Sequence, residues 1–202
     1  MLNIALIDYG IGNMFSIEYA LRRFSLNVEV CSSPNSIRDA DAVVIPGVGN
    51  FRVGAGNLRG LKNCIADLVK DNVPILGICL GMQILFQCSE EDPSVDGLGL
   101  LSGKVVKLPG SVKTPHVGWN NIIVVKYVDF LDGVDEKDYF YFVHSYYAVP
   151  DDLWIVAAET DYGVRFPSVI VKNNVFGVQF HPEKSGRSGE KIIKNFINIA
   201  KR

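Results

Sequence analysis

Cys79 lies between two glycines, in Gly77-Ile78-Cys79-Leu80-Gly81. It follows the apolar run Val73-Pro74-Ile75-Leu76 and opens Met82-Gln83-Ile84-Leu85-Phe86, which reads as a helix. Small neighbours let the backbone turn sharply enough to present a side chain at the top of a sheet, the form of a nucleophile elbow. A helix N-terminus contributes partial positive charge there, and a histidine in reach would take the proton. The bland alternative for the pentapeptide alone is a structural turn around a buried thiol.

A cysteine nucleophile needs a base, and the chain offers three histidines, His116, His144 and His181. His181 follows the strand-like Val175–Phe180, so it falls at a C-terminal strand end, where open α/β sheets keep their sites. Pro182 pushes His181 into an extended conformation. If Pro182 is extended as well, residues 181 and 183 project to the same side. Glu183 would then hold one imidazole nitrogen while the other faces Cys79, which completes a nucleophile, a base and an orienting carboxylate. The alternative is a surface His-Pro-Glu turn. Acyl transfer also needs donors for an oxyanion. The Leu80 N–H is one, and the glycine-rich Pro46-Gly47-Val48-Gly49 after a neighbouring strand is the expected source of a second.

These residues need a sheet to hold them. Leu2–Ile7, Val28–Cys31, Ala42–Ile45 and Val73–Ile78 are apolar strand runs. Between the first two, Met14, Ile17, Leu21 and Phe24 mark one helix face; before the fourth, Leu58, Leu61, Ile65 and Leu68 mark another. Ser33-Pro34 fits an N-cap and first helical position for a short helix to Ala40. Alternation with short connections predicts a three-layer α/β domain, its mostly parallel central sheet flanked by helices. After Cys88 the texture changes to a β-rich second half, with strand runs at 104–108, 121–125, 139–143, 153–157 and 168–172. Asn173-Asn174 reads as a hairpin turn, and Ile192, Ile193, Phe196, Ile197 and Ala200 as the core face of a final helix.

The 202 residues fit one domain. A formal net charge of -2 leaves no electrostatic footprint for nucleic acid, and no apolar run is long enough to span a membrane. The start reads as a first strand, not a signal peptide. The four cysteines have no metal-ligand spacing, so neither metal nor cofactor is expected. Cys31, Cys64 and Cys88 read as small core residues of a cytoplasmic protein.

Gly77-Ile78-Cys79-Leu80-Gly81-Met82-Gln83 with the late Gln179-Phe180-His181-Pro182-Glu183 resembles the triad-type glutamine amidotransferases. Asp8-Tyr9-Gly10-Ile11-Gly12-Asn13, Pro46-Gly47-Val48-Gly49, Pro115-His116-Val117-Gly118-Trp119-Asn120 and Phe142-Val143-His144-Ser145-Tyr146 narrow the resemblance to the glutaminase subunits of imidazole glycerol phosphate synthases. It implies a flavodoxin-like amidotransferase fold forming a single glutamine amidotransferase domain over 1–202. It implies that Cys79 attacks L-glutamine, that His181 and Glu183 complete the triad, and that glutamate and ammonia are the products. Gln83, Ser145 and Tyr146 would hold the substrate's head groups, and Gly47 and Val48 would supply the second oxyanion donor, in some states only after a peptide flip. His116 and His144 would be structural or interface residues. With glutaminase elements running from Leu2 to Phe196, the ammonia is expected to go to a second chain. The resemblance names that chain as a (β/α)8-barrel cyclase subunit in a heterodimer, making imidazole glycerol phosphate and aminoimidazole carboxamide ribotide for histidine biosynthesis. Asn13, Trp119, Asn120, Tyr141 and Lys184 are the interface candidates, the alternative being that Trp119 and Tyr141 are core aromatics. Rival readings are an amidotransferase of another pathway or a paralogue feeding a different product, a cysteine peptidase, and a scaffold that has lost its chemistry.

Overall fold

The computed structural model describes residues 2–202. In chain order the first half runs β1 (Asn3–Ile7), α1 (Met14–Arg22), β2 (Asn27–Cys31), α2 (Pro34–Ile37), β3 (Ala42–Ile45), α3 (Phe51–Leu58), α4 (Lys62–Lys70), β4 (Ile75–Ile78) and α5 (Leu80–Ile84). The second half runs β5 (Cys88–Ser89), β6 (Gly103–Lys107), β7 (His116–Asn121), β8 (Ile123–Val124), β9 (Tyr139–His144), β10 (Tyr146–Pro150), β11 (Val156–Asp161), β12 (Arg165–Lys172), β13 (Val175–Val178) and α6 (Gly186–Ala200).

The main sheet has eight strands in the order β2-β1-β3-β4-β13-β12-β11-β8. Pairing from β2 to β13 is parallel, and from β13 through β12 and β11 to β8 it is antiparallel, so the sheet is mixed. Strand residues alternate between two cores, as a sheet covered on both faces requires. Ile4, Leu6, Val44, Leu76 and Ile78 pack with Ile17 and Leu21 of α1 and Ile192, Ile193, Phe196 and Ile197 of α6. Ala5, Ile7, Val43, Ile45 and Ile75 pack with Phe51, Leu58, Ile65, Leu68 and Ile84 on the other face. A two-stranded ribbon (β7, β9) and a three-stranded sheet (β10, β6, β5) complete the β-rich half.

Topology puts three chain segments at one level. Val178 of β13 pairs with Ile78 of β4, and Gly77 of β4 pairs with Ile45 of β3. The residues that follow these adjacent parallel strands are Gln179–His181, Cys79 and Pro46–Gly49. The site is therefore a meeting of strand ends.

Several expectations are corrected. The helix marked by Leu58–Leu68 starts as a 3-10 turn at Arg59–Leu61 and continues as α4, and it is preceded by an unexpected helix, α3. Residues 153–155 form a 3-10 turn, and the strand begins at Val156. Expected strand 121–125 is split between the end of β7 and the short β8, and β13 ends at Val178 rather than Phe180. The short helix after Ser33 stops at Ile37, before Ala40. Cys31 is buried as expected, whereas Cys64 and Cys88 are half-exposed. The hairpin turn at Asn173-Asn174 is present: Asn173 has φ +53° and Lys172 pairs with Val175.

Candidate active site

Cys79 has φ +53° and ψ -109°. That left-handed conformation is strained for a residue with a Cβ, and it survives only where the surroundings hold it. Its N–H donates to the Val178 carbonyl (2.7 Å), and its own carbonyl accepts from Gln83 N (3.1 Å). The flanking glycines are required by contact. A Cβ on Gly77 would lie 2.7 Å from Met82 N, and one on Gly81 would overlap the Ile45 carbonyl oxygen.

His181 is extended, with φ -100° and ψ 95°, but Pro182–Lys184 is a 3-10 turn rather than an extended pair. Proline at a first helical position has a suitable φ and no N–H to leave unpaired, so it starts the turn. The turn still brings Glu183 back to the ring, with Nδ1 2.8 Å from Oε1 and both side chains nearly fully buried. Nε2 is buried without a hydrogen-bond partner and remains for the sulfur. Burial opposes a charged imidazole here. The charge of the neighbouring Cys79, together with the Glu183 hydrogen bond and charge, outweighs it and holds the His181 pKa above the ordinary histidine value.

A cavity of about 200 Å³ opens on Cys79 and is lined by Gly49, Leu80, Gln83, Glu91, His144, Ser145 and Tyr146, among others. Gly47 lies beneath, where a Cβ would collide with the Tyr9 hydroxyl and sit 2.9 Å from Gly81 N. Tyr9 is buried and its hydroxyl donates to the Pro46 carbonyl. Burial, with Cys79 adding, raises its phenol pKa. This bond fixes the 46–47 peptide plane, so rotation in the loop is left to the Gly47–Val48 plane and to Gly49, which has φ +119°.

Sequence reasoning missed Glu91, Tyr9 and Gln179. Glu91 comes from the acidic loop after α5, and its carboxylate accepts from Phe51 N (2.7 Å) and Asn50 Nδ2 (2.9 Å) at the start of α3. Proximity to Asn50 is not written in the local pattern around Glu91, so no local signal marks it.

His144 and His116 are buried and bonded to each other, Nε2 to Nδ1, at 3.1 Å. His144 Nδ1 lies 2.9 Å from the Tyr146 carbonyl, which can only accept. His144 therefore carries its proton on Nδ1, and its Nε2 accepts from His116 Nδ1–H. Burial pushes His116 down to about 4. Burial, opposed by the Tyr146 bond and reinforced by His116 and His181, pushes His144 down to about 3. Folded-state values below the unfolded one mean that the unfolded chain binds protons the native state refuses. Stability from this pair is complete above the unfolded value near 6.5 and is lost as pH falls towards 4. His181, raised, acts in the opposite sense and only above that unfolded value. In urea titrations the stability gap between the wild type and His144→Gln should narrow from pH ~7 to ~4.5; a constant gap would exclude this linkage.

Of the interface candidates, Trp119 is 56% exposed, which rules out a core role. Its ring meets half-buried Tyr141 edge-on at 6.0 Å, and Lys184 Nζ lies 5.8 Å from the Tyr141 centroid. Asn13 caps α1 by accepting from Ser16 N (3.4 Å). Asn120 alternates away from Trp119 along β7, and its amide donates to the Asp161 carbonyl (3.0 Å), which ties β7 to β11. The strand bearing Tyr141 touches both halves of the site. Tyr141 O accepts from His181 N (2.9 Å), Tyr141 N donates to Ser185 Oγ (2.9 Å), and Val143 O is 3.8 Å from Cys79 Sγ.

Residues 5–200 match the family Glutamine amidotransferase class-I. Imidazole glycerol phosphate synthase subunit HisH of Methanocaldococcus jannaschii is 47% identical over 196 residues, covering 97% of this chain and 99% of that protein. The chain belongs to the class-I glutamine amidotransferases, in their HisH branch. The HisH subunit of Pyrococcus furiosus is 46% identical over 197 residues, covering 97% of this chain and 98% of its own length. Among solved structures, PurLQS from Thermotoga maritima aligns with a TM-score of 0.79 at 22% identity, over 98% of each chain. The glutaminase domain of Trypanosoma brucei CTPS aligns with a TM-score of 0.71 at 15% identity, over 100% of this chain and 95% of that one. At those identities the two structures speak to the fold of the amidotransferase domain alone.

Proposed function

We propose that this chain hydrolyses the side-chain amide of L-glutamine and passes the ammonia to a (β/α)8-barrel cyclase subunit, within imidazole glycerol phosphate synthase. The observation that carries this reading is the strained Cys79 beside a buried His181–Glu183 pair, at the floor of a cavity with room for a small amino acid. Cys79 sulfur, its proton passed to His181, attacks the amide carbon. The oxyanion takes the Leu80 N–H and a second donor from Gly47–Val48. His181 protonates the departing nitrogen, a C–N bond breaks, and ammonia leaves a γ-glutamyl thioester. His181 then takes a proton from water, the resulting oxygen nucleophile attacks, and glutamate is released as the sulfur departs. Glu183 keeps the ring aimed throughout. Glu91, a carboxylate on the cavity wall, suits the substrate's α-ammonium, with Gln83, Ser145 and Tyr146 around it.

Ammonia released to water at neutral pH is mostly ammonium and no longer a nucleophile, so a partner that receives it directly is required. Trp119, Tyr141, Lys184 and Asn13 suit that contact, as an aromatic anchor with a cation beside it. Free cysteines throughout and the HisH relatives' role in a biosynthetic synthase support a cytoplasmic setting for histidine synthesis.

Tyr9 holds one end of the oxyanion loop, which leaves the 47–48 peptide free to rest in an unproductive orientation. Isolated chain should therefore release glutamate slowly, and addition of the cyclase with its nucleotide ligand should raise that rate by about 10²-fold or more, the worth of one oxyanion donor. Fast glutamine turnover without the partner would overturn this reading of the loop.

A further inference from the structure

Gln179 has no solvent exposure and stands between β13 and His181. Its Nε2 is 3.6 Å from Cys79 Sγ, and its Oε1 is 3.1 Å from Gln83 Nε2. Gln83 Nε2 is in turn 2.8 Å from the Tyr146 carbonyl. An amide's oxygen and nitrogen ends are told apart by their partners. The Tyr146 carbonyl is backbone and can only accept, so Gln83 must turn its nitrogen towards it. That NH2 group has two hydrogens, and the second meets Gln179 Oε1. Gln179 must then present its own NH2 to the sulfur. The opposite orientation would set amide nitrogen against amide nitrogen at one end and oxygen against sulfur at the other.

From this chain of directions the geometry points to Gln179 as a further catalytic residue, donating an amide N–H to Cys79 sulfur and stabilising its thiolate. The inference rests on the reading of Cys79 as nucleophile. An N–H donor binds a thiolate more strongly than a thiol, because a charged acceptor strengthens the bond, and with Gln179 fully buried no water competes for the donor. The donor acts twice in the cycle. It raises the thiolate population before attack, and it stabilises the same sulfur as leaving group when the thioester is hydrolysed. It also explains why Gln83 is committed on its nitrogen side, with only its oxygen left to face the cavity.

The test is the reactivity of Cys79 itself, which needs neither glutamine nor a partner. Alkylation by iodoacetamide is followed across about pH 5 to 9 by mass spectrometry of the Cys79 peptide, because half-exposed Cys64 and Cys88 also react. Gln179→Met keeps length and burial without the donor. We expect alkylation at neutral pH to slow about tenfold and its pH midpoint to rise by about one unit, the effect of losing one hydrogen bond to a charged acceptor. Gln179→Glu, which adds a negative charge, should raise the midpoint further. A Gln179→Met profile that superimposes on the wild type overturns the inference. If either variant fails to fold, the wild type decides: the Gln179 side-chain amide resonance should shift as Cys79 titrates and lose that response in Cys79→Ala. An amide blind to Cys79 overturns the inference. If glutamine hydrolysis survives Cys79→Ala, the reading of the site falls instead, so the two failures are distinguishable.

Discussion

Cys79→Ala, assembled with the cyclase, should lose glutamine-dependent synthesis by about four to six orders of magnitude while ammonium salts still support the reaction at the wild-type rate. Removing the nucleophile of a covalent mechanism costs most of the chemical acceleration, since neither base nor oxyanion donors can substitute for the missing bond. The second half of the proposal is what gives the experiment its force. If ammonia is made in one chain and used in another, supplying it from solution bypasses the damage. Cys79 packs at its strained turn with a small side chain, so alanine removes only the sulfur. Loss of the ammonium-dependent rate in a correctly assembled complex would show that the two activities are not divided between chains.

The largest effect on folding is expected at Gly81. A methyl there overlaps the Ile45 carbonyl oxygen and lies 2.8 Å from its carbonyl carbon, and both are backbone of a central parallel strand. Neither can move without breaking the β3–β4 pairing that aligns Pro46–Gly49 with Cys79. Gly81→Ala should therefore cost about 3 kcal/mol or more in urea unfolding, the upper range for overpacking, because the obstacle is a strand rather than a side chain. Gly60→Ala is the matched control: nothing lies within 4 Å of its Cβ position and its φ is ordinary, so a change within about 0.5 kcal/mol is expected. A Gly81 variant as stable as the Gly60 one would mean that α5 can shift away from β3.

Two members of the proposed triad were legible in the sequence because each carried a local signal. Glycines on both sides marked Cys79, and a following proline set the backbone of His181. The route to Glu183 was read wrongly, as an extended pair where the chain makes a 3-10 turn, yet both routes bring the carboxylate to an imidazole nitrogen. Gln179, Glu91 and Tyr9 were not legible as site residues. Their roles depend on residues 37 to 100 positions away, at strand ends joined only by the sheet. The same limit explains the missed α3. Gly54 and Gly56 weaken its helical signal, and Gly54 is required because a Cβ there would press within 2.7 Å of Ile84 Cδ1. The parallel half followed from continuous apolar strand runs alternating with helix-period segments. In the β-rich half, turns such as Leu153–Ile155 have apolar residues at exposed positions, which imitates a strand: Leu153 and Trp154 are 73% and 81% exposed.

One backbone oxygen has a reach beyond its own hydrogen bonds. The Tyr146 carbonyl takes both the His144 proton and the Gln83 amide. In doing so it spends His144 completely, one nitrogen as donor to that carbonyl and the other as acceptor from His116. The imidazole that lines the cavity thus has no lone pair to lend and no loosely held proton to lose. In the proposed reaction His144 would therefore be chemically mute towards ammonia formed at Cys79, and proton exchange there would be left to His181.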